Sequence, residues 1–230
     1  LPRVSLDGRA NILNANVELN SAVTDRLRLK ATYTHNDRDN RTPRAVYDWV
    51  STDMFLGLPR ANLPYGFTQD KFKLRADYKT SAQVRTSVGF DHDSNARTFQ
   101  GVNTTDESTI WGTVTSRFLD RVDMTLKVAH GDRSNPGYQP VAMIVPPENP
   151  LLGRYNMAGR TRDSAELRAD IAATDKMSIG LQIDASEDEY SDSTIGLTSG
   201  SELNFGGDIA VTLSEQTNLH FFANRQVIKS

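Results

Sequence analysis

The sequence contains no cysteine. That absence excludes disulfides, thiolate metal sites, iron–sulfur clusters and the C-x-x-C-H attachment of c-type haem. Long apolar runs are missing too. Mean hydropathy is −0.50, and nothing approaches the ~18 consecutive apolar residues of a membrane helix. Charge of one sign does not dominate either: 26 Lys and Arg stand against 29 Asp and Glu, a formal net charge of −3. No basic excess points to nucleic acid. The 230 residues suffice for one domain or two small ones, with ample core. Leu1 is no start residue and no signal-peptide pattern follows it, while Gln226–Ser230 stops inside a strand-like pattern. An internal piece of a longer protein is the expectation.

What is present is alternation with period two. Leu13, Ala15, Val17 and Leu19 alternate with Asn14, Asn16 and Glu18, and Leu27, Leu29, Ala31 and Tyr33 with Arg28, Lys30 and Thr32. Phe72, Leu74, Ala76 and Tyr78 oppose Lys73, Arg75, Asp77 and Lys79, and Val84, Val88 and Phe90 oppose Arg85, Ser87 and Asp91. The second half repeats the pattern. Its apolar series are Ile110, Val114 and Phe118; Val122 to Val128; Leu167 to Ala173; Ile179 to Ala185; Leu203 to Leu213; and Leu219 to Ala223. A helix would scatter these residues around its circumference, whereas a strand gathers them on one face. The expected architecture is all-β, about ten antiparallel strands in five up-and-down hairpins. The stretch Asn149–Arg162 has room for a short helical turn.

The connections alternate in length. Ser21–Asp25, Thr80–Gln83, Leu119–Arg121, Thr174–Lys176 and Ser214–Thr217 read as tight turns. His35–Gln69, His92–Asp106, Gly131–Arg162 and Asp188–Ser201 read as long loops. All the turns then lie at one end of the sheet and all the loops at the other, as in transmembrane barrels of the outer membrane. Runs of about ten to twelve residues, longer than the usual strand of roughly 5–6, suit that reading. So do aromatics near the ends of the apolar stripes: Tyr33, Phe72, Phe90 and Phe205 at the loop end, Tyr78 and Phe118 at the turn end. Only every second residue faces lipid in a barrel, so a polar average is compatible with crossing the bilayer. A soluble β-sandwich also alternates polar and apolar residues and stays open as an alternative.

Functional candidates concentrate on the polar face. Arg28, Lys30, Lys73, Arg75, Asp77, Arg85, Lys127, Arg168, Asp170 and Asp184 are expected to face the lumen, where they could touch a partner. Long charges of both signs need water or a polar occupant, so the lumen is expected to be wide. The acidic groups Asp91/Asp93/Asn95, Asp37/Asp39 and Glu187–Glu189 with Asp192 offer hard oxygen ligands but no complete Ca²⁺ loop, and solvated charge is the preferred reading. His35, His92, His130 and His220 form no H-x-x-H or H-E-x-x-H pair. No nucleophile elbow or phosphate loop is present, so no catalytic, cofactor-binding or metal site is assigned and the chain is read as non-enzymatic.

Several segments carry a family resemblance. Asn36–Pro43, Thr104–Glu107, Asn149–Leu152, Arg154–Ala158 and Ile195–Thr198 occur in order between the strands. In them the sequence resembles the MtrB/PioB family of decahaem-associated outer-membrane proteins, from about residue 10 to the end. The resemblance implies a bacterial outer-membrane barrel of more than twenty strands around a periplasmic multihaem (decahaem) c-type cytochrome. Its role would be extracellular electron transfer, in metal reduction or iron oxidation. It further implies that residues 1–230 are one portion of a single barrel without a separate soluble domain. An extracellular multihaem cytochrome could dock at the long loops. With no cysteine the chain cannot attach haem covalently, so haem would be carried by the partner. The Cys pair that some members have near the mature N-terminus and the closing aromatic strand are not in this sequence. A diffusion porin, general or substrate-specific, is the competing membrane reading.

Overall fold

The computed structural model describes residues 4–47, 60–137, 149, 151 and 154–230. Its strands are β1 (Ala10–Ala22), β2 (Leu27–Asn40), β3 (Val46–Tyr47), β4 (Arg60–Ala61), β5 (Phe67–Lys79), β6 (Val84–Arg97), β7 (Thr104–Leu119), β8 (Val122–Ser134), β9 (Arg160–Thr174), β10 (Met177–Tyr190), β11 (Ser199–Ser214) and β12 (Thr217–Lys229). Ten of them form one antiparallel sheet in the order β1-β2-β5-β6-β7-β8-β9-β10-β11-β12. The small ladder β3–β4 sits apart, inside the connection from β2 to β5. Every long strand except the first and last is paired on both sides, as an up-and-down wall requires.

Through the middle of β2 to β11 apolar and polar residues separate across this wall, whereas on β12 Phe222 lies opposite Asp208 and Arg225 opposite Phe205. On one face a hydrogen-bonded row runs Leu29, Ala76, Val88, Gly112, Val128, Ala165, Ala185, Leu203. Among the described residues nothing packs on that face: Leu181 is 51% and Ile110 63% exposed. The polar face is the more sheltered one, with Gln182, Asp184 and Ser186 half-buried between exposed Leu181, Ile183 and Ala185. A sandwich has the opposite arrangement, two apolar faces pressed together. A single sheet with its apolar side bare overturns the soluble alternative.

The register also yields the strand tilt. The row named above starts near the middle of the apolar run at Leu29 and reaches the loop edge of the run at Leu203. It drifts about six residues over seven strand steps, ~20 Å along the strands for ~34 Å across them. The resulting tilt is about 30°, just below the ~35–45° of outer-membrane barrels. The next row shows the same drift chemically: Ala31, Leu74, Phe90 and Ile110 give way to His130, Asp163, Glu187, Ser201 and Lys229.

Corrected for tilt, the aromatics fall into line. Tyr33 is paired directly with Phe72. With Phe90 and Phe205 they lie about three residues loopward of the apolar centre, roughly 9 Å from it. His35, His92 and His130 lie on the same face about 14 Å from the centre. Each histidine reaches a partner on the next strand: His35 to Asp70 at 2.8 Å, His92 to Ser108 at 3.0 Å and His130 to Asp163 at 2.7 Å. Polar rings at the hydrocarbon boundary, above an aromatic belt, suit a headgroup layer.

Strands are longer than the alternation suggests, at 13 to 16 residues. The β6–β7 and β10–β11 connections shrink accordingly, to residues 98–103 and 191–198. Above the apolar band both faces meet water, so period two vanishes while the backbone ladder continues. Parts of the expected loops His35–Gln69 and Gly131–Arg162 lie outside the described residues. In the described part of Asn149–Arg162, Met157 and Ala158 donate their N–H groups to the Arg154 carbonyl, which makes a single turn.

Candidate functional site

The pairing puts Arg28, Lys30, Lys73, Arg75, Asp77, Arg85, Lys127, Arg168, Asp170 and Asp184 on the polar face together. Arg28 lies opposite Asp77, Lys30 opposite Arg75, and Lys127 between Thr113 and Glu166. The ten do not converge on one point. They spread over β2 to β10, so the site is a surface rather than a pocket.

Two polar clusters organise that surface. In the first, Arg75 grips Asp77 with a 2.7 Å ion pair, and Ser87 donates to the same carboxylate. Trp111 lies across the glycine at position 89, flanked by the Arg75 guanidinium at 5.7 Å and the Lys127 ammonium at 6.0 Å. Gly89 makes room for the ring, because a Cβ there would clash with the indole Cζ2 and Cε2. In the second cluster Arg168 pairs with Asp170 at 2.6 Å and reaches Asp208 at 3.7 Å. Asp184 accepts from Gln182 at 3.0 Å and from Asn204 at 2.9 Å. Ion pairs this open to solvent contribute about 0–1 kcal/mol each. Their effect is to hold wall charges in set directions, not to stabilise the fold.

At the loop end the polar face closes into a more sheltered network. Arg160 meets Glu107 at 2.7 Å, and Asp188 lies 3.6 Å from Arg160 and 3.8 Å from Arg162. Arg133 donates to the carbonyls of Ala158 at 2.8 Å and Tyr155 at 2.6 Å, folding the β8–β9 loop against the wall. Asn135 and the Gly159 N–H both donate to Asp192, which ties that loop to the β10–β11 connection. Arg154 reaches Gln100 in the β6–β7 connection at 3.4 Å. The buried apolar side chains among the described residues are here: Val102, Met157, Ala158 and Tyr190. Burial raises the Asp192 pKa, but the donors from Gly159, Asn135 and Ser191 and the charge of Arg133 outweigh it and leave it lowered.

These contacts also account for the acidic groups. Asp93 accepts from Gln69 and Asn95, Asp37 from Thr68, and Asp39 from Arg41. Glu187 and Glu189 point to the face opposite Asp188, as consecutive strand residues must. Among the described residues no group of three or more His, Asp or Glu is placed to hold a metal. His220, on the polar face, lies 3.7 Å from Asp208.

Trp111, Glu107, Arg133, Arg160 and Asp208 belong to this face although the alternation alone does not single them out, and Asp188, expected only as a solvated acidic group, joins them. Parity along each strand would have found Trp111 and Asp208. The loop clamp by Arg133 and Asp192 leaves no trace in the alternation.

Comparison with known proteins agrees with this geometry. The family described as outer membrane beta-barrel porin, MtrB/PioB, matches residues 1–230. The chain is 30% identical over 230 residues to outer membrane protein MtrB of Shewanella baltica (strain OS185) and spans 33% of that relative's length. Among solved structures, OmpT of Vibrio cholerae, an outer membrane protein, superposes with a TM-score of 0.52. That match covers 97% of this chain and 88% of the other at 8% identity. The toluene transporter TbuX of Ralstonia pickettii gives 0.41 at 9% identity, over 97% of this chain and 68% of the other.

Proposed function

Because the chain belongs to the MtrB/PioB family of outer-membrane β-barrel proteins, we propose that it is part of a barrel wall sheathing a periplasmic multihaem c-type cytochrome. The observation that carries this reading is the pairing of the family match over residues 1–230 with a polar face that carries charge on every long strand from β1 to β11. Such a face fits a lumen holding a large polar occupant. Ten strands in a third of the relative's length scale to roughly thirty at uniform strand density, within the range of single-chain barrels. Even twenty strands, each taking ~5.5 Å of circumference at this tilt, enclose a backbone diameter of about 35 Å. In the full-length barrel the free edges of β1 and β12 continue the ladder, since an unpaired edge has no place in hydrocarbon.

The division of labour follows from chemistry. A chain without cysteine leaves covalent haem to the partner. The wall supplies position, exclusion of lipid and fixed hydrogen-bonding groups, and the cofactor supplies the redox step. An extracellular multihaem cytochrome would meet the clamped loop end.

The test uses the full-length protein, affinity-tagged and extracted in mild detergent, with visible spectra before and after dithionite. A Soret band with sharp α and β bands at several haems per barrel supports the sheath. A colourless, heat-modifiable barrel refutes it and leaves the porin reading in front.

A further inference from the structure

Charge is unevenly distributed around the polar face. On β2, β5 and β6 that face carries nine Lys and Arg, three from β2, four from β5 and two from β6, against three Asp. On β10 and β11 it carries Asp184, Asp188, Glu202 and Asp208 and no Lys or Arg. The facing edges of the two strips, β6 and β10, are four strand steps apart, about 22 Å of wall at this tilt. Arg28, Lys79 and Arg85 near the basic strip's turn end, and Lys73 at the middle of β5, make no ion pair among the described residues. Like charges on neighbouring strands repel, and a low-dielectric wall sharpens their field. An anionic surface opposite them would relieve that repulsion.

The strip also has an anchor. The indole of Trp111, held flat over Gly89 between Arg75 and Lys127, marks its border. Tryptophan and arginine are the residue types that dominate binding energy at protein interfaces. A held aromatic between two cations, Arg75 already paired with Asp77, at the border of a cation-rich strip is suited to a protein surface, whereas small solutes need only the charge.

We propose that the polar face of β2, β5 and β6, together with Trp111, is the docking surface for an acidic face of the protein held in the lumen. The acidic β10–β11 strip then meets a basic or neutral part of the same occupant, and the pair of strips sets the occupant's rotation about the barrel axis. The proposal rests on the sheath reading and adds to it the chemistry and direction of contact.

The experiment uses the tagged full-length complex with its haem. A zero-length carbodiimide cross-linker joins amines only to touching carboxylates, and peptide mapping then locates the links. Amides from Lys73 and Lys79 to Asp or Glu of the occupant are the expected result. In parallel, the variant Lys73→Glu/Arg85→Glu should lose at least tenfold of its haem per barrel in a 150 mM NaCl wash, and Lys73→Gln/Arg85→Gln less. Heat-modifiable migration checks that each variant folds, and the cross-links on the unmodified complex do not depend on it. A haem-loaded complex without links from β5, whose retention ignores these charges, overturns the docking surface and leaves the sheath standing. A wild-type barrel without haem overturns the sheath itself.

Discussion

Arginine placed at Leu181 should be among the most damaging single changes in this chain. Leu181 sits at the middle of the β10 apolar run, 51% exposed, between Ala169 and Gly207. Neither small neighbour offers a polar group, and from mid-band a guanidinium cannot easily reach either interface. At the midplane of a bilayer that substitution costs about 2–4 kcal/mol, and near an interface about 0–1. The folded-to-unfolded ratio of Leu181→Arg should therefore fall roughly thirty- to several-hundred-fold. Leu203→Arg, at the loop edge of the same face, should cost about 1 kcal/mol or less. On the opposite face Asn204 already donates to Asp184 at 2.9 Å, so Asn204→Arg places its charge beside a carboxylate and should stay within about 0.5 kcal/mol. Urea titration of the full-length protein folded in phospholipid vesicles, read by heat-modifiable migration, measures all three. The reasoning fails if Leu181→Arg is no costlier than Asn204→Arg. Leu29→Arg repeats the test on β2.

Other consequences are local. Gly89→Val should drive the Trp111 indole off the wall, visible as a red shift of tryptophan emission, with about 1–3 kcal/mol lost to overpacking; unchanged emission would contradict the placement of the ring. Arg133→Ala removes both hydrogen bonds that hold the carbonyls of Tyr155 and Ala158. Trypsin should then cut the 154–160 segment several times faster while the barrel stays heat-modifiable. Asp192 has a lowered pKa, so its contribution to the loop clamp is complete above the ordinary carboxylate range near ~3.9 and fades as pH falls through its folded value. Acid should loosen the loop in the native protein, and Asp192→Asn should flatten that dependence in limited proteolysis by an acid-active protease such as pepsin.

Much of this wall was legible from residue order because a bilayer makes period two obligatory. Each strand from Leu13–Leu19 to Leu219–Ala223 must show lipid one face and water the other, and a one-residue slip would invert it. The signal stops where that contrast stops. Residues Asn36–Asn40 and Asp93–Arg97 continue their strands with polar groups on both sides, which alternation cannot distinguish from loop. Cross-strand partners were equally hidden. That Trp111 lies over Gly89, or that the Arg168 charge is shared between Asp170 and Asp208, depends on register, which turn lengths and bulges set over many strands. The loop clamp depends on Arg133, Asn135 and Asp192 meeting across connections far apart in sequence. All ten expected charges share one face, but only pairing reveals that on this face β2, β5 and β6 carry an excess of cations while β10 and β11 carry carboxylates and no Lys or Arg.

The central claim is that the charged face looks into a polar lumen and the apolar face into lipid. Because the segment has no cysteine of its own, single cysteines can be placed at successive positions from 178 to 186 in a full-length protein freed of any other thiols. Spin labels there, in vesicles, report collision with lipid-soluble oxygen and with a water-soluble nickel chelate. Oxygen access should peak at 179, 181, 183 and 185, and nickel access at 178, 180, 182, 184 and 186, with oxygen greatest at 181. Two profiles rising and falling together, or nickel access peaking at 181, would contradict the inside-out wall.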